Sequence, residues 1–221
     1  MVRADAGRWE AVVFDLDGTL IDSAADIQTS INTVLGEDAL APLTLPLVTS
    51  FIGNGVSHLV KLAYQHRGRS LEVAALIERT GRFSRAYADN PIEQTRPFPG
   101  VVGCLRRLRE RGVKLGVCTN KPLVLTEKIL GGLRLRSFFQ VVIGGDSCRT
   151  RKPSPEPLLA CCEAPEVEPR HCLYVGDSET DVATARAAGL AIMLVAYGYA
   201  KHSADRLGAD GVFVSLDHFR I

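Results

Sequence analysis

The first run of apolar residues, Ala11-Val12-Val13-Phe14, is valine-rich and too short for a helix, and Asp15-Leu16-Asp17-Gly18-Thr19-Leu20 follows it at once. A run of this kind predicts a strand buried on both faces of a parallel sheet. Side chains alternate along a strand, so Asp15 and Asp17 are expected on the same side where the strand ends, and Gly18 permits a tight backbone exit. Next, Ser23-Ala24-Ala25-Asp26 has the spacing of a capping box, and Ile27, Ile31, Val34 and Leu35 recur at helical intervals up to Gly36. Helical patterning with few strand signals continues to about Asn90, predicting helices near 46–51, 56–67 and 71–88.

From Pro97 the pattern changes. Helices over 101–111, 123–130, 155–162 and 181–188 alternate with short strands over 113–118, 141–143, 172–175, 192–195 and 212–214, punctuated by glycines and prolines. This alternation predicts an α/β fold, a doubly wound parallel sheet. The helical block interrupts the sheet after its first strand, so it is expected to be an inserted all-helical cap: a core of 1–20 and 97–221, with a cap of 21–96. A length of 221 residues suits one large domain carrying an insertion.

Charge and composition narrow the partners. With 26 basic and 25 acidic side chains the net charge is +1, which gives no global field to attract nucleic acid or an anionic membrane, so any anion site is local. The arginines of Leu105-Arg106-Arg107-Leu108-Arg109-Glu110-Arg111 fall opposite leucines at core spacing, as on a solvated helix face. The longest mainly apolar stretch, 187–197, is about half of what a spanning helix needs. The first ten residues carry no recognisable motif and no hydrophobic region of a signal peptide, which makes a cytoplasmic location the simplest expectation. Cys104, Cys118, Cys148, Cys161, Cys162 and Cys172 form no C-x-x-C pair and are expected to be reduced thiols, most of them buried.

In an open parallel sheet, ligands gather beyond the carboxyl ends of the strands. Four such ends carry chemistry here: Asp15 and Asp17; Thr119-Asn120-Lys121; Gly144-Gly145-Asp146 followed by Lys152-Pro153; and Gly176-Asp177-Ser178-Glu179-Thr180-Asp181. Asp177-Ser178 alone would be a helix cap, but four polar ends in register form a site. Clustered carboxylates suit a hard cation, magnesium in particular, while a lysine, a threonine hydroxyl and free amides suit a phosphate. Hydrolysis of a phosphate monoester needs an acceleration of up to about 10²¹-fold, far beyond what general acid catalysis alone supplies.

In Asp15-x-Asp17-Gly18-Thr19, Thr119-Asn120, Lys152-Pro153 and Gly176-Asp177 with Asp181, the chain resembles the haloacid dehalogenase superfamily of phosphohydrolases along nearly its whole length. Phe51-Ile52-Gly53-Asn54-Gly55, Val141 through Asp146, Lys152 through Leu158, Val175 through Asp181 and Tyr197-Gly198-Tyr199 are similar to the bacterial phosphoglycolate phosphatase subfamily. The resemblance implies that Asp15 attacks phosphorus to form an aspartyl-phosphate, and that Asp17 protonates the departing alkoxide and then activates water. It implies Mg²⁺ held by the Asp15 carboxylate, the Asp17 backbone carbonyl and the Asp177 carboxylate, with Asp181 in support. Thr119, the Asn120 amide and Lys152 would neutralise the transferring oxygens. The Gly53-Asn54-Gly55 loop is the candidate to enter the site from the cap, and His58, Lys61, Arg82 or Arg85 the candidate basic cap residue for an anionic substrate.

The expected partner is a small phosphorylated metabolite, first of all 2-phosphoglycolate, with no nucleic acid and no membrane; the chain is expected to be a monomer or homodimer. The alternatives are a phosphatase for a sugar phosphate or amino-sugar 6-phosphate, a phosphomutase sharing the aspartyl-phosphate step, and a non-catalytic phosphoacceptor module, which needs no cap.

Overall fold

The computed structural model describes residues 9–200 and 203–219; the motif-free residues 1–8 lie outside the described part. In chain order the elements are β1 (Ala11–Phe14), β2 (Ile21–Asp22), α1 (Ala24–Glu37), α2 (Leu45–Thr49), α3 (Val56–His66), α4 (Val73–Asp89), β3 (Arg96–Pro97), α5 (Val101–Glu110), β4 (Lys114–Cys118), α6 (Leu123–Gly132), β5 (Val141–Ile143), α7 (Glu156–Glu163), β6 (Cys172–Gly176), α8 (Glu179–Ala188), β7 (Ala191–Val195) and β8 (Gly211–Phe213), joined in places by single 3₁₀ turns.

Six of the strands form one parallel sheet in the order β5-β4-β1-β6-β7-β8. The valine-rich strands are buried on both faces, as their composition predicts. On one face Val12, Phe14, Val117 and Val175 pack with Leu105 and Leu108 of α5 and Ile129 of α6. On the other, Val13, Tyr174 and Ile192 pack with Leu158 and Cys161 of α7 and Ala185 of α8. The chain builds the sheet outward from β1 through β4 to β5, then returns to the other side of β1 for β6, β7 and β8. This reversal places the topological switch point at the carboxyl ends of β1 and β6, where Phe14 faces Val175.

Between β2 and β3, α1 to α4 pack on one another around Ile31, Leu35, Leu59, Phe83 and Tyr87. β2 and β3 pair antiparallel, Ile21 opposite Pro97 and Asp22 opposite Arg96, so the chain entering the helical block lies beside the chain leaving it. This two-residue ribbon is too short to leave a period in the sequence.

The capping box expected at Ser23 and Asp26 does not form. Ser23 begins α1 without a side-chain cap bond; its hydroxyl donates instead to Asp17 Oδ1 at 2.5 Å. Asp26 turns to the chain returning from the helices, accepting from the backbone N–H groups of Gln94 and Thr95 and from the Thr95 hydroxyl at 2.6–3.1 Å. Asp26 is only 3% exposed, and a buried carboxylate gains more from these donors than from a single helix-terminal amide. A capping box does occur at α8, between Ser178 and Asp181, and Gly189 closes that helix in the left-handed region. All six cysteines are free, and five of them are buried. Among the described residues no helix is long and apolar enough to cross a membrane.

Candidate active site

Asp15 leaves the end of β1 with its N–H bonded to Val175 O, and its side chain is buried at the switch point. Its Oδ1 accepts from Lys152 Nζ at 2.7 Å, while among the described residues Oδ2 has no hydrogen-bond donor. Lys152 arrives from the loop between β5 and α7 and donates also to Asp181 Oδ1 at 2.7 Å and to the Tyr174 hydroxyl at 2.9 Å. Asp177, one residue past β6, accepts from the Thr19 hydroxyl at 3.3 Å and from the Tyr199 N–H at 2.6 Å. Gly18 makes this approach possible: its φ is +89°, and a Cβ there would lie 2.4 Å from Asp177 Oδ2.

The carboxylates of Asp15, Asp177 and Asp181 each offer an oxygen within 4.8 Å of the others. Burial pushes the Asp15 carboxyl up to about 7, with Lys152 opposing and Asp181 adding to the rise. Burial also raises Asp177, helped by the charges of Asp181 and Asp15. Asp181 is the exception: burial works against its charge, but Lys152, Ser178 and Tyr174 outweigh it and hold the carboxyl below the usual range. Lys152 is likewise held protonated, its burial outweighed by Asp15 and Asp181. Three buried carboxylates against one ammonium leave negative charge uncompensated, and an all-oxygen donor set of this kind fits a hard divalent cation. Asp181 is the least free to bind it. Its Oδ1 takes Lys152 and Tyr174, and its Oδ2 takes the N–H groups of Asp177 and Ser178 and the Ser178 hydroxyl. It therefore orients Lys152 and the Asp177 backbone, as a residue behind a ligand does.

Asp17 lines the same cleft as Asp15, and its carboxylate is held from two sides. Lys121 Nζ donates to both of its oxygens at 2.7 and 2.8 Å, and Ser23 adds its hydroxyl. Thr119 and Asn120, at the end of β4, are buried in the cleft wall. The Thr119 hydroxyl accepts from the Lys121 N–H at 3.2 Å, and Asn120 Nδ2 donates to Gly53 O at 3.0 Å and Lys152 O at 3.1 Å. Asn120 thus ties the helical block to the core.

The 53–55 loop reaches the cleft, with Gly53 and Gly55 at φ +117° and +85°. Asn54 points to the Asp177 side, its Oδ1 accepting from the Thr180 hydroxyl at 3.1 Å. The four basic cap candidates do not line the cleft beside Asp15. Arg82 is committed to Glu78, Asp38 and Glu37, and His58 lines the opening around Asn54, Asp177 and Tyr199. Among the described residues the cation of the cleft wall is Lys121, from the core.

The pattern of the sequence left Lys121, Tyr174 and Tyr199 without roles. Tyr199 joins the site to the entry of the helical block: its hydroxyl accepts from the Ser23 and Ala24 N–H groups and donates to Asp22 Oδ1 at 2.6 Å. Tyr174 had a legible signal, since a tyrosine inside a strand buried on both faces needs a partner for its hydroxyl.

A doubly wound sheet with an acidic switch point, a buried lysine and a helical block over the cleft defines a class, and comparison identifies it. Residues 12–195 match the family described as haloacid dehalogenase-like hydrolase, to which the chain belongs. It is an enzyme of the phosphoric monoester hydrolase class. It is 44% identical over 206 residues to a phosphoglycolate phosphatase of Cereibacter sphaeroides, covering 93% of this chain and 94% of the relative. It is 41% identical to that of Rhodospirillum rubrum, covering 92% and 86%. The crystal structure of a predicted phosphoglycolate phosphatase from Haemophilus somnus 129PT superposes with a TM-score of 0.90 at 30% identity, covering 95% of this chain and 96% of the other.

Proposed function

We propose that the enzyme hydrolyses 2-phosphoglycolate to glycolate and phosphate, with Mg²⁺, through an aspartyl-phosphate on Asp15. The observation that carries the chemistry is the state of Asp15: one oxygen is pinned by Lys152, the other has no donor among the described residues, and Asp17 lines the same cleft. Oδ2 attacks phosphorus while Lys152 and the Thr119 hydroxyl take up charge on the transferring oxygens. Asp17, carried by Lys121 and Ser23, passes a proton taken up from solvent to the departing alkoxide and then takes one from the water that releases phosphate, which restores it for the next turnover. Asp15 and Asp177 would hold the cation together with the Asp17 backbone carbonyl, and Asp181 would orient Asp177. The bound cation supplies charge neutralisation between nucleophile and phosphate.

Residues 21–96 act as a cap on the β2–β3 ribbon, with the 53–55 loop excluding water from the cleft. The near full-length similarity to phosphoglycolate phosphatases supports 2-phosphoglycolate as the substrate. The test is phosphate release from a panel of 2-phosphoglycolate, several sugar phosphates and pyrophosphate, with Mg²⁺ and with chelator. The expected result is the highest kcat/KM on 2-phosphoglycolate and none with chelator; weak, even activity across the panel would overturn the substrate assignment.

A further inference from the structure

Above Asp15 the cleft has an apolar wall from the helical block, made by Ile27, Ile52, Val56, Leu59 and Phe83. Two polar groups are set into it, of which the phosphate chemistry uses only Lys121, to hold Asp17. Lys121, whose side chain is 4% exposed, is among the described residues the one cation lining this cleft. An ammonium carries three N–H donors; the two oxygens of Asp17 occupy two of them, and the third faces Tyr87. Tyr87, from α4, lies with its ring centroid 4.7 Å from Lys121 Nζ. The residue is 1% exposed, and among the described residues its buried hydroxyl has no hydrogen-bond partner of good geometry. A donor left unpaired in a functional cleft calls for an acceptor that arrives with a ligand.

We propose that Lys121 and Tyr87 form the subsite for the leaving group and that this subsite takes a carboxylate; the inference rests on the phosphatase reading above. A carboxylate offers two acceptor oxygens and one negative charge, matching the charge of the Lys121 ammonium and the O–H of Tyr87. A second phosphate dianion would require more donors than this wall holds, and a sugar would press its hydroxyls against aliphatic side chains. The position also fits a short substrate. Asp17 meets the ester oxygen, and Lys121 is bonded to Asp17, so an acid group a carbon or two beyond that oxygen falls at Lys121. Selection therefore comes from the core loop after β4 and from α4, rather than from an arginine or histidine of the cap.

The experiment compares kcat/KM of the Mg²⁺-loaded enzyme for 2-phosphoglycolate and for 2-hydroxyethyl phosphate, which has a hydroxymethyl group where the first has its carboxylate. Wild type is expected to prefer the carboxylate. In Lys121→Met and Tyr87→Phe that preference should shrink by about tenfold to a hundredfold, the factor of one charge-assisted hydrogen bond, with KM for 2-phosphoglycolate rising and inhibition by glycolate weakening. Were Lys121 only a support for Asp17, both substrates would lose the same factor and the ratio would stay, which would overturn the inference. Tyr87→Phe deletes one oxygen and keeps the packing, so it decides the matter even where Lys121→Met folds poorly. A wild type that does not distinguish the two substrates would overturn the 2-phosphoglycolate reading itself, whereas discrimination retained in both variants would overturn the subsite alone.

Discussion

Replacing Asp15 by asparagine should end turnover and yet stabilise the metal-free fold at alkaline pH. Asp15 titrates at about 7 in the folded chain against 3.8 for the unfolded reference, chiefly because burial disfavours its charge. Between these values the folded state keeps a proton that the unfolded chain has released, so this group lowers stability as pH rises from about 4 to about 7. Fully developed, the shift corresponds to about 4 kcal/mol, more than half of which appears between pH 5 and pH 8. At pH 5 the wild-type carboxyl is mostly protonated and nearly isosteric with an asparagine amide, so the two proteins should differ least there. At pH 8 in chelator the variant should have gained about 2–3 kcal/mol relative to its standing at pH 5, or about 5–10 °C in Tm for a chain of this size. Relief of Asp177, which Asp15 helps to raise, acts in the same direction. The assay is thermal or urea unfolding of both proteins at pH 5, 6.5 and 8 in chelator. A gap that does not change with pH would refute the reasoning that Asp15 is held against its own charge.

Lys152→Ala should lower kcat/KM by at least about 10²-fold, since it removes the ammonium shared by Asp15 and Asp181; phosphate release measures this, and a loss below tenfold would exclude Lys152 from the site. Gly18→Ala would place a Cβ 2.4 Å from Asp177 Oδ2 at a φ of +89°, so the Mg²⁺ concentration for half-maximal activity should rise by about tenfold or more in a metal titration. Asp26→Asn should cost about 1–3 kcal/mol in urea unfolding, because the amide cannot accept all the donors from Gln94 and Thr95; an unchanged midpoint would contradict that role.

The doubly wound sheet was legible because both-face burial forces continuous apolar runs such as Val12 to Phe14 and Leu173 to Val175, and the glycines and prolines between them mark the turns. The strand-end residues were legible for a related reason: carboxylates, a lysine and a threonine at four parallel strand ends have only one place to meet. What sequence reasoning missed depends on tertiary choice. Ser23 and Asp26 have the spacing to cap α1, but each found a stronger partner, in Asp17 and in the 94–95 segment. Lys121 stood in the polar strand end Thr119-Asn120-Lys121 without a role of its own, because its importance lies in Asp17, more than a hundred positions away. The basic residues of the cap were visible, but pattern could not show that Arg82 is spent on Asp38 and Glu78. The β2–β3 ribbon is too short to carry any period.

The account turns on Asp15 as nucleophile, and a single-turnover experiment tests it most directly. Enzyme in excess is mixed with 2-phosphoglycolate labelled at phosphorus in Mg²⁺, quenched in acid within milliseconds and digested. The account predicts transient label on the peptide containing Asp15, formed and lost as fast as turnover requires, and none in Asp15→Asn. Turnover of the labelled substrate with no protein-bound phosphate at any time, or label on another residue, would contradict it.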